Sequence, residues 1–312
     1  MANNLWYTKF LSIGVLVLFL MLFVSYHQNI IELASLYETK SWPMSESTDN
    51  RSPQVKKYED ILCKLDYARI SELKNLDSID DANFLDMFHQ FIQNPMSSVC
   101  KVMTKFGGSY SKKCKYTDGG KFVCMDDLQL DIQNKECLIY SFGIDKDWTF
   151  EDVMGEFGCK VFAHDPTVDY PRKRSENVYF EKIGLASKED KENHLKDLSS
   201  ILSANGHNNT KISYLKMDIE EYEIEGLPAW LKSGALDNVD QIALEFHLNH
   251  GDVVKKTRTF AKALLDLYTQ ANFYLIAYEA NNCYKNLDKH QKYFSLAEIV
   301  LKKRGREYPC ED

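Results

Sequence analysis

Acidic and imidazole side chains follow two short apolar runs in the second half of the chain, and such side chains can move protons. Asp218 and Glu220 come directly after one run, and His247 ends another. A carboxylate or an imidazole at such a place can orient a hydroxylated substrate or accept the proton of its hydroxyl group. We therefore predict Asp218, Glu220 and His247 as the catalytic residues.

A glycine turn and a single aspartate follow two earlier apolar runs. Gly143 leaves the first of these runs, and Asp165 ends the second about twenty residues later. A glycine lets a ligand approach the backbone, and a carboxylate can accept hydrogen bonds from both hydroxyl groups of a ribose. The alternatives are a plain strand-to-helix turn and a helix-capping aspartate. The predicted cofactor-binding set is Phe142, Gly143, Ile144, Asp145, Asp165 and Asp218.

Two nearby groups of side chains have competing interpretations. Glu221 and Glu223 fit the solvated, acidic start of a helix, where the helix dipole favours negative charge. His247 with His250 and Asp252 fits a metal site, although polar groups at strand ends are more often satisfied within the fold. We therefore predict no metal ligand.

These residues depend on elements that must place them side by side. Apolar runs alternate with amphipathic or polar stretches after residue 136, which predicts strands alternating with helices. The predicted strands cover residues 137–142, 160–166, 178–183, 212–217, 239–246, 273–278 and 293–300. The predicted helices cover residues 149–157, 190–205, 223–231 and 253–271.

Such alternation predicts a mainly parallel sheet with helices on both faces. The last two strands are joined by a loop too short for a crossover helix, so we expect them to pair antiparallel. The predicted fold class is α/β, a Rossmann-like seven-stranded sheet with an antiparallel last strand, which resembles the sheet of class I methyltransferases. Ligands of such sheets bind beyond the carboxyl ends of the strands, where the predicted site residues lie.

The beginning of the chain carries a long apolar run. Residues 10–26 contain no charged residue, which is the short end of the length that spans a membrane. Lys9 precedes the run and acidic residues follow it, which favours a cytoplasmic N-terminus. We predict an uncleaved signal anchor of a single-pass type II membrane protein that faces the Golgi or ER lumen. The alternative is a cleaved signal peptide and a secreted protein.

Composition divides the remaining chain. With 38 Lys and Arg against 46 Asp and Glu residues, the formal charge is −8, which argues against a nucleic-acid partner. The predicted domains are a cytoplasmic tail over 1–9, the anchor over 10–26, a polar stem over 27–57, a helical and cysteine-rich cap over 58–130 and the sheet domain over 131–312.

Eight cysteines and two glycosylation sequons, at Asn50 and Asn208, agree with an oxidising lumen. The cysteines allow up to four disulfide bonds, whose pairing the sequence leaves open. A zinc site is less favoured because no C-x-x-C pair occurs. Cys137 and Cys159, at the starts of two strands, fit reduced core residues equally well.

Several motifs resemble those of a known family. LKMDIEEYEIEGL, which contains Asp218 and Glu220, resembles the K-x-D-x-E-x-x-E element of FkbM-type methyltransferases. FGGSY, DGGKFVCMDD, YSFGIDKDWTFE, VFAHDP and EFHL resemble animal methyltransferase-like proteins of the methyltransferase-like protein 24 type, over about residues 96–302. The resemblance implies S-adenosylmethionine as methyl donor and a single membrane anchor. By this likeness, Gly143 and Asp165 hold the cofactor, and Asp218 with Glu220 follows the fourth strand.

The predicted function is therefore an S-adenosylmethionine-dependent methyltransferase that acts on an oxygen of a luminal glycan or a small hydroxylated acceptor. Two other classes stay open. A Golgi glycosyltransferase shares the anchor, stem and luminal domain, and Asp145-Lys146-Asp147 has the D-x-D form that can hold Mn²⁺ and a nucleotide diphosphate. A catalytically silent protein could keep the cofactor-binding fold alone.

Overall fold

The computed structural model describes Lys64 and residues 68–96, 99–112, 115–248, 251–281 and 296–304. The predicted tail, anchor and stem lie outside the described residues, as do Asn50, His250, Cys63, Cys114, Cys283 and Cys310. Pro53–Asp312 belong to one compact unit. Among the described helices, none has both the length and the hydropathy of a membrane span.

Helices and strands alternate along most of the described chain. The helices are α1 (Asp81–Ile92), α2 (Met125–Gln133), α3 (Thr149–Glu156), α4 (Leu198–Ala204), α5 (Tyr222–Lys232) and α6 (Val253–Ala271). The strands are β1 (Met103–Phe106), β2 (Ser109–Ser111), β3 (Tyr116–Asp118), β4 (Lys121–Cys124), β5 (Leu138–Phe142), β6 (Lys160–His164), β7 (Val178–Glu181), β8 (Gly184–Leu185), β9 (Leu195–Lys196), β10 (Tyr214–Met217), β11 (Gln241–His247), β12 (Phe273–Ala280) and β13 (Leu296–Lys303). Residues 68–75 are also helical.

Seven strands form the central sheet, in the order β12-β13-β11-β10-β5-β6-β7. The strands β7, β6, β5, β10 and β11 are parallel, and β13 runs antiparallel to both β11 and β12. The predicted mainly parallel sheet with an antiparallel last strand is confirmed. The strand order reverses between β10 and β5, which is where ligands bind in open α/β sheets.

Helices cover both faces of the sheet, which explains why its strands form continuous apolar runs. Every residue of β5, β10 and β11 is buried. Successive side chains of a strand point to opposite faces. Tyr140 therefore joins the core formed with α1, α4, α5 and α6, and its neighbour Ile139 joins the core formed with α2 and α3.

The predicted helix over residues 190–205 is wrong in its first half. The residues before Asp197 form turns and the short strand β9, and Asp197 is the N-cap of α4. The side chain of Asp190 accepts hydrogen bonds from the backbone N–H groups two and three residues further along. Aspartate side chains that bond nearby backbone in this way compete with helix formation.

The cysteine-rich segment, for which the sequence shows no periodicity, forms two antiparallel strand pairs. β1 pairs with β4, and β2 pairs with β3. A disulfide bond joins Cys100 to Cys124, so these two sulfur atoms do not offer thiolates to zinc. The backbone N–H and C=O groups of Cys124 both bond the side-chain amide of Gln241, each over 2.8 Å. The segment is thereby attached to β11 of the central sheet.

A second disulfide bond joins Cys137 to Cys159, across 22 residues, just ahead of β5 and β6. The alternative of two reduced core cysteines is therefore wrong. Because this bond restricts the unfolded chain, we expect the double variant Cys137→Ala/Cys159→Ala to lose about 3 kcal/mol of unfolding free energy. Urea titration followed by circular dichroism measures this loss. An unchanged midpoint with an unchanged slope would contradict the expectation.

Candidate functional site

A cavity of about 380 Å³ opens at the carboxyl ends of β5, β6 and β10, where the strand order reverses. Its volume falls in the range of small-molecule sites. Six of the predicted site residues line it: Phe142, Gly143, Asp145, Asp165, Asp218 and Glu220. Ile144 is instead buried in the core formed with α2 and α3. The structure thus brings together three segments that lie far apart in the sequence.

Gly143 turns the chain sharply at the end of β5. Its φ is +79°, a left-handed conformation that favours glycine. A Cβ atom at this position would lie 1.8 Å from the carbonyl oxygen of Asp218. The turn is fixed on both sides, since Gly143 N–H donates to the His164 carbonyl and Asp218 N–H donates to the Phe142 carbonyl. The neighbouring backbone alone therefore requires glycine here.

Lys216, which the sequence analysis did not select, holds the same turn. Its Nζ donates to the carbonyl oxygen of Gly143 over 2.5 Å and lies 3.8 Å from Oε1 of Glu151. The hydroxyl group of Ser141 donates to the same Glu151 oxygen over 2.6 Å. Lys216, Glu151 and Ser141 are all buried. The sequence feature that could have identified Lys216 is a lysine within an apolar strand, because a buried ammonium group needs partners.

Asp165 lies at the end of β6 and accepts four hydrogen bonds from its own chain. The N–H groups of Ile144 and Asp145 donate to Oδ2, each over 2.9 Å. The N–H and hydroxyl groups of Thr167 donate to Oδ1 over 2.7 and 2.6 Å. A carboxylate has about four acceptor positions, so Asp165 is saturated within the chain. Its predicted contact with a ribose stays a prediction, and the structure adds a second role, which is to hold the turn after β5.

The pKa of Asp165 reflects the same contacts. Burial works to raise the pKa of this carboxyl group, but the hydrogen bonds from Thr167, Asp145 and Ile144 outweigh burial and hold the pKa below its ordinary value. Asp165 is therefore a negative charge at the edge of the cavity at neutral pH.

The three predicted catalytic residues lie together at the rim of the sheet. Nε2 of His247 lies 3.8 Å from Oδ1 of Asp218 and 3.7 Å from Oε2 of Glu220. His247 is buried at the end of β11, and its Nδ1 has no hydrogen-bond partner among the described residues. An imidazole placed next to two carboxylates has the geometry of a general base beside groups that can orient a hydroxylated substrate.

Only one of the two aspartates of the D-x-D segment lines this cavity. Asp145 lines the cavity beside Gly143. Asp147 accepts hydrogen bonds from the Ser109 hydroxyl group and the Thr149 N–H group, each over 2.9 Å, and is not among the lining residues. A divalent cation held by both carboxylates is therefore disfavoured, and the glycosyltransferase alternative loses its site.

Comparison with known proteins identifies the family of the chain. Residues 81–294, more than two thirds of the chain, match the family described as a methyltransferase domain. The chain belongs to this methyltransferase family. The human protein called probable methyltransferase-like protein 24 is 31% identical over 140 residues, which cover 41% of this chain and 38% of the human protein. The match thus spans about two fifths of that curated relative, and the predicted family resemblance is confirmed.

Two of the solved structures that match this chain belong to proteins assigned as methyltransferases. A protein from Clostridium thermocellum assigned as an rRNA-methylase has a TM-score of 0.33 and 9% identity, covering 57% of this chain and 97% of that chain. A Streptococcus pneumoniae protein assigned as a tRNA (m1A22) methyltransferase, in complex with S-adenosyl-L-methionine, has a TM-score of 0.29 and 13% identity, covering 58% and 74%. With TM-scores below 0.5, these likenesses carry no weight for the function.

A buried ion cluster lies beside His247 in the methyltransferase domain. Lys121 of β4 forms an ion pair with Glu298 of β13, and its Nζ lies 3.9 Å from Oε2 of Glu245. Burial raises the pKa of Glu245 to about 8, and the negative charge of Asp218 adds to the rise. Burial therefore favours the neutral form of Glu245, while the nearby Lys121 ammonium group opposes it. The sequence analysis missed this cluster because Lys121 lies in the cap segment, where no periodic pattern marked it as buried.

The expected solvated acidic start of α5 is wrong. Glu221 forms an ion pair with Lys256 of α6. Glu223 is fully buried, and its Oε1 accepts a hydrogen bond from the N–H group of Ile219 over 2.8 Å. Negative charge near a helix start is compatible with either a solvated or a buried position, so the pattern alone could not separate them.

Glu223 makes the stability of the methyltransferase domain depend on pH. Burial, with a smaller contribution from Asp218 and Glu220, raises its pKa from 4.5 to about 8, although the Ile219 N–H group opposes the rise. Between these two pH values the unfolded state binds fewer protons than the folded state, so stability falls as pH rises from about 4.5 to about 8. We expect Glu223→Gln, which resembles the neutral acid, to lose less unfolding free energy over this interval. Urea titrations of the unaltered chain and of Glu223→Gln at pH 5 and pH 8 measure this loss of unfolding free energy, and equal losses in the two proteins would contradict the expectation.

Proposed function

We propose that this chain is an S-adenosylmethionine-dependent methyltransferase that methylates an oxygen of a hydroxylated acceptor. The observation that carries the proposal is the cavity at the switch point of the sheet, where the Gly143 turn, Asp165 and Asp218 meet. Membership of the methyltransferase family supports it from an independent direction. Together they favour methyl transfer over the glycosyltransferase alternative.

The residues of the cavity fit this cofactor. Its walls combine apolar side chains such as Phe142 and Leu185 with the carboxylates of Asp145 and Asp218. S-adenosylmethionine carries two positive centres and an apolar base, so acidic groups and apolar walls complement it. Asp145 and Asp218 would hold its polar parts. When bound, the cofactor supplies a methyl group made electrophilic by a sulfonium centre.

The side chains of this protein would position the acceptor and receive its proton. His247 lies between the carboxylates of Asp218 and Glu220, and these can orient a hydroxyl group by accepting its hydrogen bond. His247 can then take the proton of this hydroxyl group at Nε2. Holding the acceptor oxygen in one orientation supplies much of the rate enhancement in reactions of this kind.

Isothermal titration of the full-length purified chain with S-adenosylmethionine and S-adenosylhomocysteine tests the proposal. We expect one binding site per chain. We also expect transfer of a tritiated methyl group to hydroxylated acceptors, and His247→Ala should reduce the rate of this transfer at least about tenfold. A chain that binds neither compound would rule out the proposed function. Binding without transfer to any acceptor would instead identify the catalytically silent alternative.

We also propose that the protein is a single-pass type II membrane protein that faces the Golgi or ER lumen. The uncharged run over 10–26 supports the anchor. The two disulfide bonds fit an oxidising compartment. Asn208 of the second sequon is exposed, as an acceptor of glycans must be. We expect glycosidase treatment to shift the electrophoretic mobility of the unaltered chain, and we expect Asn208→Gln to lose this shift. Absence of any shift in the unaltered chain would contradict the proposed orientation.

A further inference from the structure

A second, more open cavity adjoins the cofactor cavity. It has a volume of about 620 Å³ and is lined by the starts of α5 and α6. We call it the outer groove. Glu220 and Tyr222 line both the outer groove and the cofactor cavity. A molecule in the outer groove would therefore lie next to a cofactor in the inner cavity, at the side where Asp218 and His247 meet.

The backbone at the junction of the two cavities is strained. Glu220 and Glu221 are consecutive residues with φ of 55° and 76°, both in the left-handed region. Each such residue costs about 1–3 kcal/mol, and strain of this kind persists at ligand sites because the surroundings impose it. The side chain of Glu220 is consequently 79% exposed at the junction, while Glu221 pairs with Lys256 on the groove wall.

The walls of the outer groove offer one aromatic face and free polar groups. Tyr222, at the start of α5, is 46% exposed and presents its ring to the groove. Glu225 and Lys255 are exposed, and neither side chain has a hydrogen bond or an ion pair among the described residues. An aromatic ring can cover the C–H face of a sugar, and a carboxylate and an ammonium group can bond its hydroxyl groups as acceptor and donor.

The charge of the outer groove separates neutral from charged acceptors. Its carboxylates are Glu220, Glu221, Glu225 and Asp252, and its ammonium groups are Lys255 and Lys256. This excess of negative charge disfavours phosphorylated, sulfated or acidic acceptors. Lys255, whose ammonium group has no carboxylate partner among the described residues, also disfavours a cation on its wall of the groove. A neutral, polyhydroxylated molecule suffers neither repulsion.

We propose that the outer groove binds the methyl acceptor and that this acceptor is a neutral sugar. The sugar ring stacks on Tyr222, its hydroxyl groups bond Glu225 and Lys255, and one hydroxyl group reaches the junction at Glu220. The proposal rests on the proposed methyltransferase function, since it names the acceptor of the same reaction. It adds three residues that the sequence analysis did not select.

Saturation-transfer NMR of the full-length chain with methyl glycosides of galactose, mannose and N-acetylglucosamine tests binding without any cofactor. We expect at least one of these probes to bind, Tyr222→Phe to keep its affinity and Tyr222→Ala to weaken it at least about tenfold. Tyr110→Ala is the matched control, because Tyr110 is an exposed tyrosine outside the groove. Absence of binding by all three probes, or equal affinity of Tyr222→Ala, overturns the proposal.

The kinetics of methyl transfer give an independent test of the proposal. We expect Glu225→Gln/Lys255→Met to raise the KM for the bound glycoside at least about tenfold. Its Kd for S-adenosylhomocysteine should stay within about twofold of the unaltered chain, because neither residue lines the cofactor cavity. Lys262→Met, on the same helix, is the control. An unchanged KM, or methylation of a basic peptide in preference to the sugars, overturns the proposal. If the proposed methyltransferase function is itself wrong, the unaltered chain does not bind S-adenosylhomocysteine, and this result distinguishes that failure from a wrong acceptor.

Discussion

Gly143→Ala is expected to abolish measurable binding of S-adenosylhomocysteine and to destabilise the fold. The left-handed backbone at Gly143 costs an alanine about 1–2 kcal/mol. The added Cβ would also lie 1.8 Å from the carbonyl oxygen of Asp218, and such overlap costs about 1–3 kcal/mol more when the core must move. Relief of the overlap requires β5 and β10 to separate at the cavity itself. Isothermal titration and urea unfolding measure the two effects.

Gly206→Ala is the matched control for this experiment. Gly206 has a φ of +74°, close to the +79° of Gly143, and no heavy atom lies within 4 Å of a Cβ built on it. We expect it to lose only the backbone contribution and to keep its affinity for S-adenosylhomocysteine. If both variants behave alike, contact with Asp218 does not matter and the close approach of the two strands has no role in binding.

Asp165→Ala is expected to lower the affinity for S-adenosylhomocysteine by about a hundredfold or more. The change removes the acceptor of four hydrogen bonds and frees the turn after Gly143. Asp165→Asn sharpens the test, because its amide group turns a donor toward N–H groups that need an acceptor. Asp80→Ala is the control, since Asp80 also accepts several hydrogen bonds in a turn but lies outside the cavity lining.

NMR of the amide groups of Ile144 and Asp145 separates the two roles of Asp165. If Asp165 acts through the turn, Asp165→Ala makes these two amide groups mobile even without ligand, which lowers their order parameters. If it acts on the ribose alone, the order parameters are unchanged while affinity falls. Full affinity in Asp165→Ala would contradict both roles.

The acid stability of the protein offers a second measurement on Asp165. Its pKa is lower in the folded state than the ordinary 3.8. This group therefore stabilises the fold above pH 3.8, and the contribution is lost as pH falls through the lower folded pKa. We expect Asp165→Asn to lack this part of the acid-induced loss of stability.

Apolar spacing was sufficient to predict the sheet of this protein. Runs such as Leu138–Phe142 and Gln241–His247 are buried on both faces, so they stand out from the polar helices that alternate with them. The same alternation placed the glycine turn, Asp165 and Asp218 at one rim, because the carboxyl ends of parallel strands meet there. Fold class and the location of the cavity therefore follow from local pattern together with the rules of βαβ connection.

Other features were decided only by contacts between distant parts of the chain. The acidic pattern around Glu223 fits a solvated side chain, and Lys121 lies in the predicted cysteine-rich cap, yet both side chains are buried. Lys121 meets Glu298, which lies 177 residues further along, and no local pattern records such a pair. The helix predicted over 190–205 failed for a local reason instead, since the side chain of Asp190 bonds the backbone two and three residues further along and so competes with helix geometry.

The sequence by itself determined which residue types stand at the ends of the strands. Tertiary structure alone decided what each of them bonds, how deeply it is buried and how its pKa changes. Asp165 shows the difference: its position was predictable, but its saturation by Ile144, Asp145 and Thr167 was not. The physical reason is that burial and hydrogen bonding depend on which segments the fold packs together, whereas periodicity reports only the face on which a side chain lies.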